Sequence, residues 1–373
     1  MSAQPDTSIL NSDVIAKYKL AGEITARVFA QVKALAVPGA MIYDICVKGD
    51  ELLAEELSQI YNNKKTSKIP KGIAFPTSVS PNNIAAHNSP YAAADPANVA
   101  LVGGDVAKIA LGIQIDGYAS IMAETVVVGV EVATGRAADV VLAAWNASEA
   151  ALRSIKVGRR NWDVTRVVDQ VAEAYGCSGL EGMLTHNQDQ NVLTGFKEVI
   201  INPSDEQKAE VDTMTFEEGE VYGLDVLVST GTGAVNPAEV RTTIFKLTGN
   251  TYSLKLKQSH GVLAEFKKKG ALLFPFSIRN LDDPTKGKTG LHECSEHKIM
   301  QAYDVMREKK GELIAQFYTT IGVTKTGLVR LTSPEFDASK FQSEKKIEDQ
   351  VLLDLLAEPY LKVTKKKNNK KKA

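Results

Sequence analysis

The chain is poor in cysteine. It has three in 373 residues, Cys46, Cys177 and Cys294, an odd number spaced far apart. That excludes a disulfide framework and any CxxC metal site, and it suits a reducing compartment. An uninterrupted apolar run of about 18 residues is missing, so no membrane span is expected. No basic-then-apolar segment stands at the start, which argues against secretion. Aromatic residues are sparse at 6%, yet 44% of the chain is apolar, ample for a sizeable core. The charged fraction of 24% is that of a globular chain, and the length admits one large domain or two ordinary ones.

The net charge of -1 hides an asymmetry. Six lysines (Lys365, Lys366, Lys367, Lys370, Lys371, Lys372) and no acid follow Thr364. Against 45 acidic residues, that leaves the preceding chain at -7. An acidic body with a basic tail points to a polyanionic partner. A second cluster, Lys255, Lys257, Lys267, Lys268 and Lys269 with Arg279 nearby, adds positive charge.

The periodicity predicts a frayed start over residues 1–11, a helix from Asn11 to Leu35 stopped by Pro38-Gly39, and a second helix from Met41 to about Leu57. Residues Phe75 to Asn98 carry four prolines and read as a long functional loop. Asp105 to Val130 reads as a hairpin turning at Asp116-Gly117. Helices are predicted at 137–155 and 161–175, the second C-capped by Gly176. Strands are predicted at 221–228, 241–247, 313–321 and 327–331. Tyr252 to Gly311 reads as an inserted subdomain with a helix from Glu293 to Lys310, ahead of a closing helix and a tail over 363–373. Gly104-Asp105-Val106 is echoed 115 residues later by Gly219-Glu220-Val221, as a duplicated α+β unit would require. The echo sets Ala110 opposite Asp225, facing across a central site.

Four segments carry a family resemblance: GIAFPTSVSPNNIAAHNSP (72–90), KIALGIQIDGYA (108–119), EGMLTHNQ (181–188) and EGEVYGLDVLVSTG (218–231). They resemble type II methionine aminopeptidases and, more closely, their non-peptidase relatives, the proliferation-associated and ErbB3-binding proteins. That family includes a fungal curved-DNA-binding protein. The resemblance covers nearly the whole chain. It implies an α+β pita-bread fold, a single domain over 12–362, with two pseudo-symmetric halves around a cleft and an α/β insert in the second half.

In enzymes of this fold five side chains hold two metal ions that activate a water. The resemblance implies that three of those positions are lost here, at Ala110, Ile121 and Tyr318, leaving His186 and Asp225. Two ligands fall short of the three or four that zinc sites use, so no metal or other cofactor is expected. His87 matches the substrate-facing histidine. The expectation is a pseudoenzyme with a vestigial cleft, acting in nucleus and cytoplasm on curved double-stranded DNA and on structured RNA or ribosomal particles through its lysines. Two rivals stand beside it. One is a protein-interaction adaptor using the inert cleft, or the Leu352, Leu355 and Leu356 LxxLL pattern of the closing helix. The other is a residual metallo-aminopeptidase built on His87, His186 and Asp225.

Overall fold

The computed structural model describes residues 6–269 and 273–361. The expected lysine tail therefore lies outside the described residues. Helix α1 (Ser12–Ala34) starts where Asn11 accepts a hydrogen bond from the Asp13 backbone, and α2 (Ile42–Gln59) follows. Strands β1 (Lys71–Pro81), β2 (Val106–Ile115) and β3 (Tyr118–Val127) form an antiparallel sheet under these helices. The second half repeats the plan. Helices α3 (Gly135–Ser154) and α4 (Asn161–Ala174) cover a sheet of β4 (Met183–Gln188), β5 (Glu198–Ile201), β6 (Val221–Ser229), β7 (Ile314–Thr324) and β8 (Gly327–Arg330). The halves join through β3 and β7, giving one sheet with the path β1-β2-β3-β7-β6-β4-β5. The sequence echo is real at backbone level. Gly104 and Gly219 enter their strands with φ of 93° and 95°, a conformation that suits glycine.

Three expectations are corrected. Ile9 is buried, and its N–H donates to the Gly219 carbonyl at 3.2 Å, so residues 6–11 dock instead of fraying. Phe75–Pro81 belongs to β1. Its prolines are accommodated because β1 is an edge strand with register shifts between Ile73 and Ser78. The insert's second helix is α6 (Pro284–Glu296), not 293–310; Lys298 adopts a φ of 54° and turns the chain into the short strand Met300–Ala302.

The insert has its own core, with Phe245, Val262, Phe266, Ile278, Leu291 and Cys294 among its buried members. Its helix α5 (Lys257–Lys268) begins where the Glu293 carboxylate of α6 accepts N–H bonds from Lys255 and Leu256 at 2.7 and 3.1 Å. A three-stranded sheet (276–277, 244–247, 300–302) completes it. The closing helix α7 (Gln350–Ala357) buries Leu352 and packs Leu355 and Leu356 on the second half's core. Those leucines are thus occupied with folding. No described helix is long and apolar enough to cross a membrane.

The β3–β7 seam has a short ladder: Ala123 faces Tyr318 and Met122 faces Thr319. Two buried threonines extend it. The Thr320 hydroxyl accepts from the Ile121 N–H at 2.9 Å and donates to the Ile121 carbonyl at 3.0 Å. The Thr125 hydroxyl does the same for Gln316, at 2.7 and 2.9 Å. Thr125→Val or Thr320→Val keeps the shape but strands buried backbone groups. Each variant should lose about 1–3 kcal/mol in denaturant unfolding, and unchanged stability would refute the seam's role.

Candidate functional site: the central cleft

The seam lines up one residue from each of four strands. Ala110 on β2 faces Ala123 on β3, Ala123 faces Tyr318 on β7, and Tyr318 faces Asp225 on β6. On the neighbouring strand His186 faces Gly223. Alternate side chains of a strand share a face, so Lys108, Ala110, Ile121, Asp225 and Tyr318 all line one cleft of about 380 Å³, with His186 and His87 also in its wall. Ala110 and Asp225, set opposite each other by the echo, line the same cleft with two strands between them.

Each polar group has a definite environment. One Asp225 carboxylate oxygen accepts from the Gln316 amide at 2.8 Å; burial drives its pKa up to about 7, against the opposing pull of that bond. The Tyr318 hydroxyl accepts from the Gln188 amide at 3.0 Å, and burial raises its pKa. That hydroxyl lies over Gly223, where a Cβ would come within 1.7 Å of it. His186 sits with Nδ1 3.3 Å from the Gly195 carbonyl and 3.4 Å from Glu198. His87, at a φ of 66°, donates from Nδ1 to the Asp304 carbonyl at 3.1 Å, and its ring forms a mutual cluster with those of Phe75 and Tyr303. Burial lowers the pKa of both histidines. His186 and Asp225 thus line one cleft but take different hydrogen-bond partners.

Sequence reasoning missed three members of this wall, Lys108, Gln316 and Tyr303, and Gln188, which bonds to Tyr318. Lys108 is buried, donates to the Asn82 carbonyl at 2.6 Å, and burial pushes its pKa well below the usual lysine range. Period-two spacing from Ala110 carried that signal. Gln316, likewise two residues from Tyr318, was legible the same way. Gln188 and Tyr303 required the tertiary structure.

The residues do not fit a metal centre. Beside His186 and Asp225 the cleft wall offers the Ala110 methyl group, the Tyr318 phenol, and Ile121, which packs with Phe75, Leu193, Ile244 and Phe274. Among the described residues no three His, Cys, Asp or Glu side chains are grouped to hold an ion.

The insert lysines separate into two kinds. Lys255, Lys257, Lys267 and Lys268 are exposed. Lys269 instead pairs with Glu265 and Asp282, at 3.3 and 2.9 Å. Arg279, expected on the basic surface, is buried; it pairs with Asp50 at 2.6 Å and donates to Ser89 and Pro90, locking the insert to the first half.

A family model, metallopeptidase family M24, matches residues 16–236. This chain belongs to that family. Within it, the chain falls among the proliferation-associated and ErbB3-binding proteins. It is 49% identical to the curved DNA-binding protein of Schizosaccharomyces pombe, over 98% of this chain and 95% of that one. It is 38% identical to ERBB-3 binding protein 1 of Arabidopsis thaliana, over 99% and 91%. The solved structure of a thermophilic Arx1 superposes with a TM-score of 0.87 at 34% identity, covering 94% of this chain and all of that one. The M24 pita-bread fold, with two α+β halves around a cleft, is the fold observed.

Asp225 titrates against the fold. Between the ordinary carboxylate range near 4 and about 7, the native state holds a proton that the unfolded chain releases, so this group's contribution to stability falls as pH rises through that window. Asp225→Asn removes the effect. Its stability relative to the parent should be higher at pH 8 than at pH 5, read as denaturation midpoints; an equal difference at both pH values would contradict the assignment.

Proposed function

We propose that this protein is a non-catalytic member of the M24 family that binds nucleic acid: curved double-stranded DNA, and structured RNA or ribosomal particles. The reading makes it a protein of nucleus and cytoplasm. The observation that carries it is the central row of side chains. Ala110, Ile121 and Tyr318 occupy the cleft where the fold's metal chemistry needs acids, while high identity to a curved DNA-binding protein runs through the whole chain.

The charge supports the same reading. Exposed Lys255, Lys257, Lys267 and Lys268 stand on one inserted unit, and six further lysines follow Thr364. Such side chains neutralise phosphates and release counterions without a rigid site. They read charge, so preference for a curved or folded ligand comes from the shape of the body. A second reading has one observation in its favour: the cleft is largely apolar and carries a buried Tyr303 hydroxyl with no hydrogen-bond partner among the described residues. A partner segment held there would make the protein an adaptor.

Fluorescence anisotropy with a curved duplex, a straight duplex and a folded ribosomal RNA fragment tests the proposal. Full-length protein should bind at low salt. Ending the chain at Thr364 should flatten the dependence of log K on log salt, by roughly 0.9 for each duplex phosphate that the tail no longer neutralises. Binding no stronger than that of a neutral control protein would sink the nucleic-acid reading. Stoichiometric bound zinc, manganese or cobalt with chelator-sensitive release of N-terminal methionine would sink the non-catalytic one.

A further inference from the structure

A groove larger than the central cleft lies at the edge of the insert. It has a volume of about 600 Å³ and is lined by Lys246, Leu247, Tyr252, Leu263, Lys267 and Ile299 together with residues 248–251 and neighbouring positions. None of its described lining residues is Asp or Glu. Lys246 donates to the neutral Thr194 hydroxyl at 3.4 Å, and Lys267 is exposed. Among the described residues neither has a carboxylate within ion-pairing distance. Burial lowers the pKa of Lys246, so an anion beside it would offset its desolvation.

The aromatic content is equally specific. Tyr252 stacks on His297 with ring centroids 3.6 Å apart and planes 12° from parallel. It remains 44% exposed and lines the groove, so His297 backs the ring without shutting it off from solvent. The support is rigid. The Thr248 hydroxyl and the Asn250 amide both donate to the Lys298 carbonyl, at 2.6 and 3.0 Å, and the Thr248 N–H donates to the Ile299 carbonyl at 3.0 Å. These bonds fix the 248–252 segment against the turn that carries His297. Exposed Val192 and Leu273 extend the apolar wall.

A rigid aromatic face, an apolar floor and two uncompensated ammonium groups match one kind of ligand. A nucleotide strand presents flat bases for stacking and phosphates for the lysines, and stacking tolerates any base because every base has a π face. Duplex DNA hides its bases and would use only the charges. We infer that this groove binds unpaired nucleotides, one base stacking on Tyr252 while Lys246 and Lys267 hold the flanking phosphates. The inference rests on the nucleic-acid reading and adds to it a site for single-stranded segments such as loops, bulges and ends.

The experiment uses full-length protein and a fluorescein-labelled adenylate dodecamer RNA, with a duplex of the same length in parallel and an oligo-glutamate peptide as competitor. Tyr252→Ala should weaken dodecamer binding roughly tenfold or more while leaving duplex binding within about twofold, because a lost base stack acts only on exposed bases. Tyr252→Phe should keep parental affinity. Lys246→Gln should reduce the single-strand salt slope by about 0.7, whereas Tyr252→Ala should leave that slope unchanged. Dodecamer binding that is indifferent to Tyr252→Ala would overturn the inference while leaving the nucleic-acid reading standing. Competition by oligo-glutamate as strong as that of unlabelled dodecamer would overturn it in favour of an acidic-peptide groove. If the parent protein binds neither single strand nor duplex, both readings fail.

Discussion

The seam between β3 and β7 is the constraint on which the remaining structure depends. Two half-sheets, each roofed by two helices over its own apolar core, meet there through a two-residue ladder. So short a ladder holds because Thr125 and Thr320 each give a hydroxyl to both backbone groups of the residue across the gap. A hydroxyl both donates and accepts, so a single threonine replaces a missing pair of backbone bonds. Thr332 adds a donor to the Ile121 carbonyl, at 3.1 Å. The alignment of the two halves, and hence the cleft, follows from these bonds.

That alignment sets an alanine, an isoleucine and a tyrosine beside Asp225 in the cleft wall. Ala110, Ala123, Tyr318 and Asp225 face one another strand by strand. The space is filled by the Tyr318 phenol over Gly223 and by the apolar packing of Ile121. What remains is a pocket of mostly apolar walls in which burial favours neutral histidines and a proton on Asp225 at mildly acid pH. Such groups suit holding a ligand by shape and hydrogen bonds. Exposed positive charge lies elsewhere, on the insert, where Lys255, Lys257, Lys267 and Lys268 stand open to water.

The insert is tied to the body by one deeply buried ion pair, Arg279 with Asp50, backed by bonds to Ser89, Pro90 and the Asn280 amide. Removing one partner of such a pair costs far more than the pair contributes, because the other charge is left without compensation. The consequence is positional. The groove beside Tyr252, the exposed lysines of α5 and the cleft wall at His87 are held in one orientation.

Local signals in the sequence determined much of this protein. The cap at Asn11, the Asp116-Gly117 turn, the stripe of α4 and the paired glycines at 104 and 219 act within a few residues, so their elements were legible from the chain. That Ala110 and Asp225 line one cleft was legible too, because a strand's period is two and the echo set its phase. Other features needed the tertiary structure because sequence neighbours do not settle them. Pro76 belongs to a strand since β1 is an edge that can bulge. Ile9 is buried since Gly219 and Val221 come to meet it. Arg279 reads as one more surface cation until Asp50, from a distant helix, removes it from solvent. Tyr252 and His297 lie 45 residues apart in the chain and stack only because the insert folds them together. Local sequence determined most of the helices and the central hairpin; only packing decided where the edge strand runs and which charges meet a partner.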